Sequence, residues 1–454
     1  MSAIQPSKEQ LLADAERPGQ EALRLHSYYR GKVQILPKCP VRGLEDFSIW
    51  YSPGVAAPCR AIRADPALVF EHSNKANSIA IVTDGSRVLG LGDIGSEAAL
   101  PVMEGKALLF KYLGGVDAVP ICLGTKDPAE IIRTVKLLEP GFGGINLEDI
   151  AQPKCFRILD ALRRELHIPV WHDDQQGTAT VVLAALINAA AIVDKPLKNF
   201  RLVFVGMGAA NVAAYHLLRA YGLDPRGIVA CDSKGSLHRG RADIEAVQNE
   251  FPDKWRICQD TNANAVAGDA AAALEGADAC VAFSAPGAIT SAAVAGMGKN
   301  AIVLACANPV PEIWPWEAKA AGACIVATGR GDFPNQVNNS LCFPGIFRGV
   351  LDVRARAITD EIALAAAQAL AGAVENPSPD RLLPTMADWE VAAKVAAAVA
   401  AAAEAAGLAR RPIGYEQEFR SARAVIGTAR MATRLLMDGG AIAPVPAGPN
   451  LSPV

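Results

Sequence analysis

Between residues 78 and 327 short apolar runs alternate with amphipathic stretches, and the alternation comes twice, parted by the linker VDKPLKNF at 193–200. In the first series SIAIVT (78–83), VDAVPICL (116–123), GGINL (143–147) and IPVW (168–171) read as strands, with helical patterns at 97–113, within 127–138 and at 153–166. RVLGL (87–91) follows Asp84-Gly85-Ser86 and reads as the return arm of a hairpin on 78–83. In the second series RLVFV (201–205), GIVAC (227–231), RICQ (256–259), DACVAF (278–283), AIVLA (301–305) and ACIVA (323–327) read as six strands with helices between them. Strands joined through helices at this spacing pair in parallel. The expected fold is therefore α/β, with an N-terminal parallel-sheet domain, then a doubly wound Rossmann-type domain, then C-terminal helices.

That pattern divides the chain into a helical leader (1–38), a first α/β domain (39–192), a second (193–350), a helical segment (351–438) and a Pro- and Gly-rich tail (439–454) expected to be disordered. Helical runs at 357–373, 389–406 and 416–437 make up the C-terminal segment. At 454 residues a single growing core is exceeded, which agrees with two domains. A net charge of −3 offers no general attraction to nucleic acid or to an anionic membrane. The polar N-terminus lacks the apolar core of a signal peptide, and the apolar run from Thr178 is short for a span and carries Asn188. A cytoplasmic enzyme without membrane or nucleic-acid partners is the expectation. Ten cysteines include no C-x-x-C pair and six histidines show no ligand spacing, so any metal is expected on oxygen.

The acids lie where such a site would form. VWHDDQQGTAT (170–180) carries Asp173 and Asp174 directly after a buried strand, and GGINL is followed by Glu148 and Asp149. In open α/β sheets ligands bind outside the carboxyl ends of the strands. Adjacent carboxylates repel unless a cation or a base holds them. A helix N-cap or a solvated loop accounts for one such pair; two pairs on one rim argue for a site. Asp174 is expected to face a divalent metal, with Asp173 steadying the catalytic groups beside it.

Two glycine fingerprints compete. Gly90, Gly92 and Gly95 satisfy G-x-G-x-x-G, whereas GMGAAN at 206–211 departs from it at Asn211. A dinucleotide loop needs a strand before it, a helix after it and, about 20 residues on, an acid at a strand end; after the second fingerprint GIVAC ends in Asp232, whereas after the first VDAVPICL ends in Cys122 and Leu123 with no acid. The second is taken as the dinucleotide loop and the first as a tight turn on the rim. Asp232 suits the ribose diol of NAD; Ser233, Lys234, Arg239 and Arg241 could instead hold the 2′-phosphate of NADP, and the reading leans to NAD.

In the helix 97–113, Lys106 interrupts an apolar stripe of Ala99, Val102, Met103, Leu109 and Phe110. A snorkelling lysine at a helix edge is one account. With acids on the same rim a general base is favoured, since desolvation lowers a lysine's pKa toward neutrality. Tyr51, in WYSPGVAAPC, is held by the Pro53-Gly54 turn.

Taken together, WYSPGVAAPC, RVLGLGDIGSEAALPVMEGKALLFK, FGGINLEDIAQPKCF, VWHDDQQGTAT, GMGAAN, ANPVPEI and VATGRGDFPNQVNNSLCFPGIFRG, in order over about 50–350, resemble the malic enzymes in their compact bacterial form. The resemblance implies oxidative decarboxylation of (S)-malate to pyruvate and CO₂ with reduction of NAD or NADP. It implies Tyr51 as general acid, Lys106 as general base, and Glu148, Asp149 and Asp174 as ligands of Mg²⁺ or Mn²⁺ with Asp173 behind them. Arg87, Asn308, Asn338 and Asn339 would meet the substrate or the nicotinamide. Gly206, Met207, Gly208, Ala209, Ala210, Asn211, Asp232, Ser233, Lys234, Ser284 and Asn308 would hold the dinucleotide, and a homodimer is implied. Gln176, Asn211 and ADWEV (387–391) depart from the family pattern. A malolactic enzyme, which retains NAD and releases lactate, and a non-catalytic dinucleotide sensor are the rival readings. The complete acid, base and ligand set argues against the sensor, and an amino-acid dehydrogenase would not need three convergent carboxylates.

Overall fold

The computed structural model describes residues 8–88 and 90–446. A leader helix, α1 (Lys8–Tyr29), precedes the first sheet. That sheet has four parallel strands, β1 (Ser78–Thr83), β2 (Asp117–Cys122), β3 (Gly144–Leu147) and β4 (Val170–His172), in the order β2-β1-β3-β4. They alternate with α2 (Ser96–Gly114), α3 (Pro128–Leu138) and α4 (Lys154–Glu165). Local chemistry sets these boundaries. Asp127 caps α3 through the Ala129 N–H at 2.7 Å with Pro128 in its first turn, and α2 stops at Gly115 in the left-handed region (φ 65°). Ile79 to Val82 are wholly buried, as expected for a parallel strand covered on both faces.

After α5 (Thr178–Ile192) the second sheet runs β10-β9-β8-β5-β6-β7. Its strands are β5 (Leu202–Val205), β6 (Ile228–Asp232), β7 (Gly235–Ser236), β8 (Ala279–Ala282), β9 (Ile302–Ala305) and β10 (Ile325–Thr328), with α6 (Ala209–Tyr221) and α7 (Pro252–Asp260) among the connections. All pairs are parallel except β6 with β7. The helices α8 (Phe343–Asp352), α9 (Asp360–Gly372), α10 (Glu390–Ala405) and α11 (Tyr415–Asp438) follow. α5 is apolar enough and, with the turn before it, long enough to cross a membrane, yet most of it is buried inside the protein. It is a core helix, and one continuous apolar cluster runs from Ile79 and Phe110 through α5 to Phe204 and Phe343.

Two expected elements differ. RICQ (256–259) is no strand but the second half of α7, because Pro252 starts a helix whose inner face buries Ile257 and Cys258. The sixth strand is instead the two-residue β7, too short to leave an apolar run. Nor do the described residues of 87–91 return as a hairpin arm: β1 already has β2 and β3 on its two edges, and among those residues the pairing seen is the Val88–Gly92 bridge. Of the tail expected to be disordered, the part up to Pro446 lies against the leader, with Tyr29 donating to the Ala443 carbonyl at 2.8 Å; 447–454, like 1–7, lie outside the described residues.

Candidate functional site

The first sheet reverses strand order at β1, whose neighbours are β2 on one side and β3 on the other. Ligand crevices form at such switch points, and the two acidic pairs stand beside this one. Glu148-Asp149 leave β3, and Asp173-Asp174 leave the adjacent β4. Asp149 adopts a left-handed backbone (φ 54°) and its N–H donates to Asp174 Oδ2 at 2.8 Å. Residues Asp173–Gly177 form one π-turn ahead of α5, a widened turn often found at functional sites. Within it Asp173 points inward and is fully buried, whereas the Asp174 side chain stays 37% exposed. Gly177 is required by this packing, since a Cβ there would lie 1.9 Å from Asp173 Oδ1.

Three of the expected ligands come together. Oxygen atoms of Glu148, Asp149 and Asp174 lie within 4.8 Å of one another, an all-oxygen set suited to a hard divalent ion. Lys106, from α2, reaches the same cluster. Its Nζ is 2.5 Å from Asp173 Oδ2, 2.9 Å from Glu148 Oε1 and 4.2 Å from the centre of the Phe343 ring. Asn146 donates to Glu148 at 2.8 Å and the Trp171 indole to Asp173 at 3.1 Å. The ionisation of Lys106 differs from the expectation. Burial pulls its pKa down, but Asp173 and Glu148 outweigh burial and hold it above the ordinary lysine value, so it is an ammonium here. Burial pushes the carboxyls of Glu148 and Asp173 up, with Lys106 opposing.

Around this centre Arg87 is exposed on the rim, its N–H bonded to the Asp149 carbonyl at 3.0 Å. The side chain of Asn338 caps the short turn Asn339–Leu341 through Ser340, and Asn339 Cβ sits 3.3 Å from where a Gly177 Cβ would be. Tyr51 is not drawn in: it is 72% exposed, and its hydroxyl has no hydrogen bond among the described residues. Sequence reading missed Asn146 and the network Lys154–Asp84–Ser86, in which Ser86 Oγ accepts the Ala151 N–H at 2.9 Å. An acid directly after β1 was the available signal.

The glycine loop follows β5. Gly206 has φ 87°, and a Cβ on it would stand 2.4 Å from the Phe283 carbonyl after β8, whereas Gly208, which precedes α6, opens into free space. Those features suit a pyrophosphate at a helix N-terminus. Asn211 does not open the loop; it is buried, and its amide donates to the carbonyls of Gly206 (2.6 Å), Val205 and Val281 (both 3.3 Å). Met207 is buried, Ala209 and Ala210 begin α6, and Ser284 and Asn308 are exposed after β8 and β9. Asp232 ends β6 with Arg241 at 3.0 Å and Lys254 at 2.7 Å. Burial opposes them, yet these cations keep its carboxyl below the usual range. Arg241 also meets Asp243 and the Ser236 carbonyl. Ser233, Lys234 and Arg239 are exposed. The second rim meets the first where the Asn308 carbonyl comes within 3.0 Å of a Cβ placed on Gly90.

This chain matches the family models described as "Malic enzyme, N-terminal domain" over 30–163 and "Malic enzyme, NAD binding domain" over 175–404. It is 48% identical over 401 residues to the bifunctional malic/malolactic enzyme of Bacillus subtilis (strain 168), covering 88% of this chain and 96% of that one. To the NADP-dependent malic enzyme of Escherichia coli (strain K12) it is 42% identical over 416 residues, 87% of this chain and 53% of that longer one. Among solved structures, the Entamoeba histolytica malic enzyme superposes with a TM-score of 0.94 at 46% identity, covering 98% of this chain and 93% of that one.

Proposed function

The chain belongs to the malic enzyme family, and from that premise we propose that it oxidises and decarboxylates (S)-malate to pyruvate and CO₂ through a divalent ion on Glu148, Asp149 and Asp174. The observation that carries this is the convergence of those three carboxylates within 4.8 Å beside a buried lysine. An ion held by these carboxylates would supply Lewis-acid chemistry to the substrate oxygens. Everything else falls to side chains. Lys106 takes the C2 hydroxyl proton as the C2 hydride passes to the dinucleotide, and Asp173, already bonded to it at 2.5 Å, is the acceptor for the proton Lys106 must first give up. Loss of CO₂ from the β-keto acid leaves enolpyruvate, and Tyr51 supplies the proton to C3. Arg87, Asn338 and Asn339 orient the substrate, and the loop 206–211 with Asp232, Ser233, Lys234, Ser284 and Asn308 takes the dinucleotide, NAD ahead of NADP.

We assign the acid-bearing unit to 39–192 and the dinucleotide unit to 193–350, preceded by the leader 1–38 and followed by helices over 351–438. A homodimer is part of the reading. Ile35, Leu44, Ile49 and Tyr51, all within 35–51, are exposed by 57–99%, and large apolar side chains left open in this way are of the kind that subunits cover. Tyr51 therefore donates its proton in the assembled enzyme. The cytoplasm is proposed on the ten free thiols.

Malate supplied with NAD or NADP, with Mn²⁺ or with EDTA, tests the reading by absorbance of the reduced dinucleotide. Turnover that persists in EDTA overturns the metal role. The bifunctional Bacillus relative favours one second reading, malolactic turnover; lactate formed without net reduced dinucleotide identifies it.

A further inference from the structure

Glu312 is fully buried between the carboxyl ends of β8 and β9. Its Oε1 accepts the N–H of Ser284 at 2.6 Å, its Oε2 accepts the N–H of Ala307 at 3.0 Å, and its carbonyl accepts the Ile289 N–H at 3.3 Å. One carboxylate thus ties the loop after β8 to the loop after β9, two neighbouring strands in register at Ala282 and Ala305. These loops carry Ser284 and Asn308. The first also backs the glycine turn, because Ser284 Cβ and the Phe283 carbonyl are what a Gly206 Cβ would strike. No cation bonds Glu312 among the described residues, so an acid here serves as a two-pronged acceptor rather than as half of an ion pair.

We infer that Glu312 is a positioning residue for the dinucleotide, its carboxylate setting the spacing of the two loops that flank the nicotinamide end of the crevice. This rests on the dinucleotide reading of that crevice. The ionised carboxylate accepts strongly at both oxygens; protonation leaves a much weaker acceptor at the hydroxyl oxygen, and an amide turns a donor toward one of the two N–H groups. Burial raises the Glu312 carboxyl to about 7 against the pull of the Ala307 and Ser284 N–H groups. The titratable groups facing it are the thiols of Cys280, on β8, and Cys306, just after β9, both pushed well above their usual value by burial and neutral near pH 7.

The test is Glu312→Gln in the full-length enzyme, with NADH affinity read by nicotinamide fluorescence from pH 6 to 8 and Mn²⁺ affinity read alongside. Wild type should lose affinity for NADH as the pH falls through about 7. The variant should bind roughly tenfold more weakly at pH 8, as loss of one such acceptor implies, with a flat profile and unchanged Mn²⁺ affinity. Variant binding that matches wild type, or that keeps its pH profile, overturns the inference. If the variant does not fold, the wild-type profile decides, and a flat one overturns it. Wild type that binds no dinucleotide at all would refute the proposed function, a result distinct from a binding-competent enzyme indifferent to Glu312.

Discussion

Replacing Lys106 by Met tests the charge balance of the acid cluster while keeping an unbranched chain over Phe343. Lys106 is the cation that touches both Asp173 and Glu148, at 2.5 and 2.9 Å, and all three side chains are nearly or fully buried. Removing one partner of a buried pair costs about 3–5 kcal/mol. Unfolding entropy of about 2.1 cal/mol/K per residue amounts to about 1 kcal/mol/K for 454 residues, so the metal-free Tm should fall by roughly 3–5 °C. Divalent ions should bind the variant more tightly, because the ammonium that repelled them is gone. At an effective dielectric near 20, unit charges about 4 Å apart interact by about 4 kcal/mol. Even a third of that is a tenfold change in affinity. Mn²⁺ should therefore restore most of the lost Tm, while malate oxidation drops by about 10²–10⁴ for want of the base. Scanning fluorimetry with Mn²⁺ and with EDTA, beside a turnover assay, reads all three. A metal-free Tm equal to wild type together with weaker Mn²⁺ binding would refute the electrostatic account, and wild-type turnover would refute the base.

Gly206→Ala places a Cβ 2.4 Å from the Phe283 carbonyl at φ 87°; beyond a strain of about 1–2 kcal/mol, the KM for dinucleotide should rise at least tenfold with Mn²⁺ affinity unchanged, and an unaltered KM would place the cofactor elsewhere. Arg239→Ala should raise the KM for NADP more than for NAD; equal effects would remove it from the 2′-phosphate. Burial of Glu418 on α11, reinforced by the neighbouring Asp352, raises its carboxyl to about 9. A folded pKa above the unfolded one of 4.5 means that stability falls as the pH climbs between them. Glu418→Gln should therefore gain in Tm over wild type, and gain more at pH 8 than at pH 5; a gain that shrinks with pH would contradict that sign.

What the sequence disclosed follows the range of the interactions involved. Strands β1 to β6 and β8 to β10 declared themselves through apolar runs, and the acid pairs through their place just after two of those runs. RICQ failed because four residues fit both periods and only the flanking Pro252 and the burial of Ile257 decide between them. Lys106 was legible as an oddity in a stripe, but its charge was not. That charge is set by Asp173 and Glu148, which arrive from β4 and β3 and shift the amine opposite to burial alone. Asn211 looked like a flaw in a fingerprint, and its role as a clamp on the Val205, Gly206 and Val281 carbonyls exists only once β5 and β8 are neighbours.

The segment after β10 explains how two sheets of separate design share one centre. It starts at the rim of the dinucleotide sheet and passes through Asn338 and Asn339 to α8. On the way Cys342 Sγ donates to the Gly177 carbonyl at 3.5 Å, and the Phe343 ring forms the floor 4.2 Å beneath Lys106. The same ring packs, tilted by 53°, against Phe110 of α2 at 4.5 Å, one helical turn beyond Lys106 itself. Lys106 is thus held from below by Phe343, from the segment after β10, and from the side by carboxylates that leave β3 and β4. A displacement of the 331–343 segment would therefore be felt at Lys106 through packing, without any charged group of the second sheet having to reach the acid cluster.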